Sequence, residues 1–308
     1  MRVLITGGAG FIGSHLTQYW RERAEVRILD VRDCQPSERG DIDFVRASIL
    51  DPVALRGAVS GVDFVFHLAA MVGVQESMEN PQRCVETNVL GTLNVLQAAA
   101  EAGVRKFVFA SSAAIYGDDP PVPTPETAVP KPKSPYAITK LDGEYYCEMF
   151  TREGRLETAA IRFFNVFGPG QDPLSPYAAA VPTFLRRALR GEPLDIFGDG
   201  EQTRDFIHVK DAVSALGFAA ENTELTGAFN CGYGRSTTIN ELVRQILALT
   251  QAQSQPIYFP ARAGDVRHSR ASAEKLCAAG WRPVSSLEQG LRETMERMRQ
   301  QFLAGAKV

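Results

Sequence analysis

The feature that most constrains this chain lies in its first thirteen residues. Arg2-Val3-Leu4-Ile5-Thr6 is a short β-branched run, and Gly7-Gly8-Ala9-Gly10-Phe11-Ile12-Gly13 follows it and opens a helix-like stretch over 12–23. A strand, a glycine turn and a helix in immediate succession begin a βαβ unit. Glycine permits the tight turn and lets a charged group approach the backbone, while helix-terminal N–H groups meet that charge. The spacing Gly-x-x-Gly-x-x-Gly has one residue more between its first two glycines than the commoner dinucleotide fingerprint, with the same chemistry. A glycine triplet alone also marks ordinary turns; the strand-turn-helix context makes this one a pyrophosphate cradle built on Gly7, Gly10, Phe11, Ile12 and Gly13. Asp30 ends the second strand, 23 residues after Gly7. A carboxylate there can accept both hydroxyls of an adenine ribose and repels a 2′-phosphate, which favours NAD. Arg32 leaves room for NADP, and read blandly Asp30 is a strand-capping acid.

The first half keeps the same rhythm. Strands are predicted at Arg2–Thr6, Glu25–Asp30, Asp43–Arg46, Phe64–Leu68, Lys106–Ala110 and Thr158–Phe163, and helices at Ile12–Arg23, Pro52–Val59, Pro81–Ala102 and Tyr136–Thr151. Fully apolar strands such as Phe64-Val65-Phe66 and Phe107-Val108-Phe109 belong to a parallel sheet covered on both faces. The expected fold is α/β, a doubly wound parallel (Rossmann) sheet with a smaller C-terminal α/β substrate lobe. Residues 1–165 are assigned to the cofactor domain, with strands from about 205–235 interleaved, and 166–308 to the lobe. Two stretches break the pattern: 117–135, with seven prolines, reads as a surface loop, and beyond Gly168 the sequence is irregular before a helix near Val181–Arg190.

Composition excludes several classes. A net charge of −3 over 308 residues offers no general surface for nucleic acid or membrane, and no apolar run reaches the ~18 residues that span a bilayer. The N-terminus runs straight into a strand and does not read as a signal peptide. Five scattered cysteines (Cys34, Cys84, Cys147, Cys231, Cys277) without CxxC spacing fit reduced thiols better than disulfides or zinc, and no His/Asp/Glu cluster has metal-ligand spacing. A cytoplasmic enzyme without metal is the expectation.

The reactive residues come later. Ser111-Ser112-Ala113-Ala114-Ile115-Tyr116-Gly117 leaves the fifth strand, and Ser134-Pro135-Tyr136-Ala137-Ile138-Thr139-Lys140 follows the proline-rich loop. Tyr136 and Lys140 share a helix face one turn apart. A phenol of pKa near 10 is a poor base at neutral pH; a neighbouring ammonium and a positively charged nicotinamide both favour its phenolate. Ser112 can hold the oxygen that reacts. An isolated Tyr-xxx-Lys pair is usually structural; behind a serine-bearing strand end and a glycine-rich turn it reads as catalytic.

With these residues in place, the chain resembles the extended short-chain dehydrogenase/reductase family, in its nucleotide-sugar epimerase/dehydratase branch. The shared features are Gly7-x-x-Gly10-x-x-Gly13, Asp30, His67-Leu68-Ala69-Ala70, Asn88, Ser112, Tyr136-x-x-x-Lys140, Arg162-Phe163-Phe164-Asn165-Val166-Phe167-Gly168 and Gly198-Asp199-Gly200-Glu201-Gln202-Thr203-Arg204-Asp205-Phe206-Ile207-His208-Val209. The resemblance implies that Leu68, Ala69, Ala70, Asn88 and Phe163 join the cofactor site with Tyr136 and Lys140, and that Ser111, Ser112, Tyr136, Asn165 and Arg204 meet substrate. Arg204 has the clearest physical warrant, since a guanidinium fits a phosphate bidentately; its bland alternative is an ion pair with Asp205 or Glu201. Where the family often carries an acid near the adenine, this chain has Ser48, next to Ile49, so altered adenine contacts are expected, with Asp51 capping the next helix. In Arg262-Ala263-Gly264-Asp265-Val266-Arg267-His268-Ser269, the residues Arg262, Asp265 and Arg267 correspond to a second phosphate contact, although Asp265 fits a salt-bridged loop equally well. His15, His67 and His208 are read as structural. The family also implies a homodimer through a four-helix bundle formed by stretches 88–102 and 137–151.

Members of this branch share oxidation at the sugar C4 and differ afterwards. Dehydratases carry an acidic pair behind the catalytic serine or threonine, and decarboxylases a glutamate in that stretch. Ala113 and Ala114 have no proton to move. That leaves oxidation and re-reduction on the opposite face: 4-epimerisation of a nucleotide-diphosphate sugar, UDP-Glc/UDP-Gal, with UDP-GlcNAc/UDP-GalNAc admitted if the small Ser269 lines the pocket beside C2. The alternatives are a net reductase, an epimerase at another carbon, a dehydratase and, in a different class, a non-catalytic NAD-binding regulatory protein.

Overall fold

The apolar runs of the first half become a seven-stranded, entirely parallel sheet in the order β11-β6-β5-β4-β1-β2-β3. The computed structural model describes residues 1–33, 42–174, 179–261, 266–303 and 305. In chain order the strands are β1 (Arg2–Thr6), β2 (Glu25–Asp30), β3 (Asp43–Arg46), β4 (Phe64–His67), β5 (Lys106–Ser112), β6 (Thr158–Phe163), β7 (Asn165–Phe167), β8 (Leu194–Phe197), β9 (Thr203–Arg204), β10 (Phe206–His208), β11 (Gly227–Cys231), β12 (Thr237–Thr238) and β13 (Pro256–Phe259). The chain starts in the middle of the sheet, moves out through β2 and β3, and returns to the other side of β1 at β4. The doubly wound fold expected from the alternating pattern is therefore present, with its switch point between β1 and β4, where such sheets open a crevice at their C-terminal edge.

The helices are α1 (Phe11–Arg21), α2 (Pro52–Val59), α3 (Val74–Glu79), α4 (Pro81–Val85), α5 (Gly91–Glu101), α6 (Pro135–Arg152), α7 (Ala180–Leu189), α8 (Val209–Glu221), α9 (Ile239–Thr250), α10 (Glu274–Ala278) and α11 (Leu287–Leu303). One core packs Leu16 and Trp20 of α1 and Ala212, Val213 and Leu216 of α8 on one sheet face. The other covers the opposite face with Leu55, Val95, Leu96, Cys147 and Phe150 from α2, α5 and α6. A third joins α7, α9 and α11 through Phe184, Leu185, Leu242, Ile246, Leu291 and Met295. The carboxylate of Asp51 caps α2, accepting from the N–H groups of Val53 and Ala54.

Three expectations are adjusted. The single helix predicted over 81–102 is interrupted by a π-helical turn at Glu86–Leu90, whose extra residue swings Asn88 inward. Strand β5 runs two residues further than predicted, carrying Ser111 and Ser112 within it. The proline-rich stretch is tied to the far end of the chain: Thr124 donates to the Arg270 carbonyl (2.8 Å) and accepts from the Ser272 N–H (2.9 Å). Of the apolar residues in stretches 88–102 and 137–151, Val95 and Leu96 are core, while Leu90, Ile138, Tyr145 (57% exposed) and Met149 face outward. Among the described residues no helix is long and apolar enough to cross a membrane.

Candidate active site

The turn between β1 and α1 is as tight as its glycines require. Gly7 has φ +74°, and a Cβ on it would stand 2.6 Å from the Ala69 nitrogen, so a side chain there would push β1 from the end of β4. The Gly10 N–H donates to the Gly7 carbonyl at 3.0 Å. Gly10 caps α1 and no side chain supplies an acceptor to the first turn, which leaves that end of the helix for an anion. Asp30 is buried at the edge of the turn, accepting from the N–H of Ala9 (3.1 Å) and of Arg32 (2.9 Å). The Arg32 guanidinium stands 3.9 Å from the same carboxylate and is exposed. The arrangement fits a dinucleotide: an open helix start for its pyrophosphate and an ordered carboxylate one strand away.

Leu68, Ala69 and Ala70 continue the chain from the C-terminal end of β4 and are half-buried. Ser48 is half-buried and its hydroxyl accepts from the Leu50 N–H in a local turn (3.1 Å). Ile49 is buried beneath Gly91, whose missing side chain makes room for it. Phe163, the last residue of β6, is a core residue. The Asn88 amide accepts from the Met71 N–H (2.8 Å) and donates to the Met71 carbonyl (3.0 Å) and the Thr139 hydroxyl (3.0 Å). Buried and with both amide hydrogens used inside the protein, Asn88 holds the loop after Ala70. His67 is likewise structural, bonded between Thr6 (2.7 Å) and Thr92 (2.9 Å).

Ser112, Tyr136 and Lys140 come together at the C-terminal end of β5. The Ser112 hydroxyl accepts from the Ala114 N–H (3.2 Å) at the start of the short 3-10 turn Ala113–Tyr116. The Tyr136 phenol lies beside that hydroxyl. Ser134 caps α6, Pro135 begins it, and the Ser77 hydroxyl accepts from the Tyr136 N–H (3.1 Å). Burial pushes the Tyr136 phenol above 10, and the Ser112 hydroxyl draws it part of the way back. Burial pulls the Lys140 ammonium down to about 8, opposed by the nearby Cys84, Cys147 and Glu144. Its Nζ donates to the Ala110 carbonyl (2.7 Å) and lies 5.9 Å from the Tyr136 ring centre. The expectation names the ammonium and a nicotinamide together; burial works against charge on both protein groups, and among protein groups Ser112 is what lowers the phenol.

On the far side of the crevice, Asn165 donates from its backbone and its side chain to the Asp205 carbonyl, each at 3.1 Å. Asp205 is fully buried and its carboxylate collects the N–H groups of Tyr233, Gly234 and Ala271 at 2.8–3.0 Å. Burial raises that carboxyl to about 6 against the pull of those amides. Arg204 is half-buried and its Nη1 donates to the carbonyls of Thr203 (2.8 Å) and Val266 (2.6 Å). Arg267 is exposed, and its two terminal nitrogens grip Asp199 at 2.9 and 2.8 Å. Ser269 is half-buried and its N–H donates to the Thr203 carbonyl (3.2 Å). Arg262 and Asp265 lie outside the described residues.

Ser111 is placed differently from the expectation. Its side chain points away from the crevice and donates to Glu144, as the alternation of a strand demands once Ser112 faces in. Sequence reasoning missed what Glu144 belongs to. Arg162, in a strand whose six residues are all buried, forks onto Glu144 and donates to the Tyr116 hydroxyl (2.7 Å), which in turn donates to Asn230 (2.7 Å). The available signal was a lone arginine in an apolar strand and a glutamate four residues beyond Lys140.

Residues 3–232 match the NAD dependent epimerase/dehydratase family. The UDP-glucose 4-epimerase of Mycolicibacterium smegmatis is 37% identical over 311 residues, spanning 97% of this chain and 99% of that protein. A UDP-N-acetyl-alpha-D-glucosaminuronate decarboxylase of Bacillus cytotoxicus is 36% identical over 318 residues, spanning 97% and 98%. Among solved structures, the UDP-glucose 4-epimerase of Thermotoga maritima, with UDP-glucose, superimposes with a TM-score of 0.92 at 40% identity, covering 98% of this chain and all of that one.

Proposed function

Because the chain belongs to the NAD-dependent epimerase/dehydratase family, we propose that it inverts the C4 stereocentre of a UDP-sugar. The observation that carries the reading is the composition of the turn behind Ser112. Ser112 meets the Tyr136 phenol at the sheet edge, while Ala113 and Ala114 put only methyl groups where elimination or decarboxylation needs an acid or base. A relative that is a decarboxylase shares the scaffold, so chemistry beyond C4 oxidation is set by such side chains and is disfavoured here.

In this reading the turn at Gly7, Gly10, Phe11, Ile12 and Gly13 takes the pyrophosphate of NAD, Asp30 takes the adenine ribose, and Ser48, Ile49 and Leu68–Ala70 flank the rest. Bound there, NAD would supply the hydride acceptor and donor for C4 and a positive ring that favours the phenolate. Tyr136 removes the proton from O4 and gives it back. Ser112 holds O4 and keeps the phenol's hydrogen bond in line. Lys140 stays pinned to the Ala110 carbonyl, with its charge behind the tyrosine. Asn165 and Arg204 orient the sugar and the diphosphate, while the Asp205 carboxylate is taken up by backbone amides. Inversion requires the 4-keto sugar to present its other face before the hydride returns.

The small Ser269 admits an N-acetyl group beside C2, so the N-acetyl pair is a substrate as well as UDP-Glc/UDP-Gal; kcat/KM for the two pairs compares them, and no turnover of the N-acetyl pair removes this part. The outward apolar stripe of Leu90, Ile138, Tyr145 and Met149 suits a homodimer through a four-helix bundle. Incubation with a panel of UDP-sugars and identification of the products by NMR tests the reading. C4 epimers in equilibrium support it, and deoxy or decarboxylated products overturn it.

A further inference from the structure

The C-terminal edge of β5 and the helix α6 are joined at three successive turns. Tyr136 faces Ser112, Lys140 bonds the Ala110 carbonyl, and Glu144 accepts from Ser111. Between them, a Cβ on Gly143 would come within 2.7 Å of the Phe109 ring, so the helix lies as near the strand as a glycine permits. Glu144 faces no part of the crevice: it is buried against Arg162, whose Nε reaches one carboxylate oxygen (2.9 Å) and whose Nη2 reaches the other (2.7 Å). The remaining arm of the guanidinium, Nη1, donates to the Tyr116 hydroxyl (2.7 Å) and to the Glu126 carbonyl (3.0 Å). Tyr116 closes the 3-10 turn that Ser112 opens. Its hydroxyl donates to Asn230, which donates on to the carbonyls of Thr124 (2.9 Å) and Ser272 (3.1 Å), the latter three residues past Ser269.

We propose that Arg162 is a positioning residue for the chemistry at Ser112 and Tyr136: through Glu144 and Tyr116 it sets the register of α6 and of the Ser112 turn against the sheet. Stability is a poor account of the arrangement, because a buried ion pair gains little over two apolar side chains of the same volume. Geometry accounts for it better. A planar guanidinium fixes the direction of each bond it makes, and here one plane aims at a helix, a turn and a loop together. The Tyr136 phenol and the Ser112 hydroxyl stand on two of those three elements, so a slip of either changes their separation directly.

The inference rests on the C4 reading above, and the experiment keeps the two apart. Tyr116→Phe and Ser111→Ala each remove one hydroxyl of the network and keep its packing; Arg162→Lys keeps the charge and loses the fork. In the full-length protein with NAD, kcat for UDP-sugar turnover falls roughly 10- to 100-fold, the cost of misplacing reacting groups by up to an ångström. KM and NAD affinity change little, because no member of the network touches either ligand. Amide hydrogen exchange of 113–117 and 136–140 becomes faster in parallel. Variants with lowered Tm but wild-type kcat and wild-type exchange below that Tm overturn the proposal. If the wild-type protein interconverts no UDP-sugar, the C4 reading fails, and the exchange rates alone decide whether Arg162 holds these segments.

Discussion

Replacing Gly13 by alanine tests the cofactor site at its tightest point. A Cβ there would lie 2.8 Å from the Gly8 Cα and closer still to the Gly7 carbonyl oxygen, against an ordinary contact of 3.4 Å, so at least 3.4 − 2.8 = 0.6 Å must be found. Both neighbours are backbone and no rotamer relieves the clash; the start of α1 must lift from the turn. A 2.9 Å hydrogen bond stretched by that amount reaches about 3.5 Å, where little of it remains. Hydrogen bonds to charged groups are worth about 1.5–3 kcal/mol each. Losing one weakens NAD binding roughly 10- to 150-fold, and the strain costs about 1–3 kcal/mol of stability. Calorimetric titration of NAD into apoprotein, alongside thermal melts, measures both. Gly57→Ala is the control: in α2, a Cβ there meets nothing within 4 Å, and the helix gains about 0.5–1 kcal/mol. NAD affinity for Gly13→Ala equal to that for Gly57→Ala would refute the assignment of this turn to the pyrophosphate.

Tyr136→Phe keeps NAD and loses turnover by roughly 10²–10⁴-fold, the range for a general base, read from kcat and from NAD retained after gel filtration. Arg204→Ala raises KM for the UDP-sugar roughly 10- to 100-fold through lost charge-assisted bonds, whereas Arg267→Ala changes it far less, because that guanidinium is held by Asp199; steady-state kinetics of the pair separates the two arginines. Burial holds His67 neutral down to about pH 3, against 6.5 for a free imidazole. Between those values the unfolded chain binds a proton that the folded one lacks. Stability from this group is therefore complete above pH 6.5 and is lost on acidification by up to about 1.4 kcal/mol per pH unit. Urea midpoints from pH 7 to 4 show that slope in wild type and its loss in His67→Gln.

What was legible from sequence was local or periodic. The β1 turn is a run of seven residues whose glycines have contacts within the same unit or at the adjacent strand end, and Tyr136 and Lys140 are one helical turn apart. Partners far along the chain were not foreseen. Arg267 was read towards a phosphate, and its pairing with Asp199, 68 positions earlier, left no local signal. Ser111 looked like part of a serine pair, although strand alternation lets only one of two neighbours face the crevice. Asn88 was placed at the cofactor, and a π-helical turn, which no spacing rule foresees, turns it to Met71 and Thr139. The Arg162–Glu144–Tyr116–Asn230 chain joins elements 18 to 114 residues apart, and only an unexplained arginine in a buried strand hints at it.

The central claim, that hydrogen leaves C4 and returns to the same carbon, is tested most directly with a UDP-sugar carrying deuterium at C4. Turnover in ordinary water followed by NMR is predicted to show the label kept at C4 of the epimer, with no build-up of free NADH. Label lost to water or to free NADH, or a product that has shed an oxygen or a carboxylate, contradicts the account.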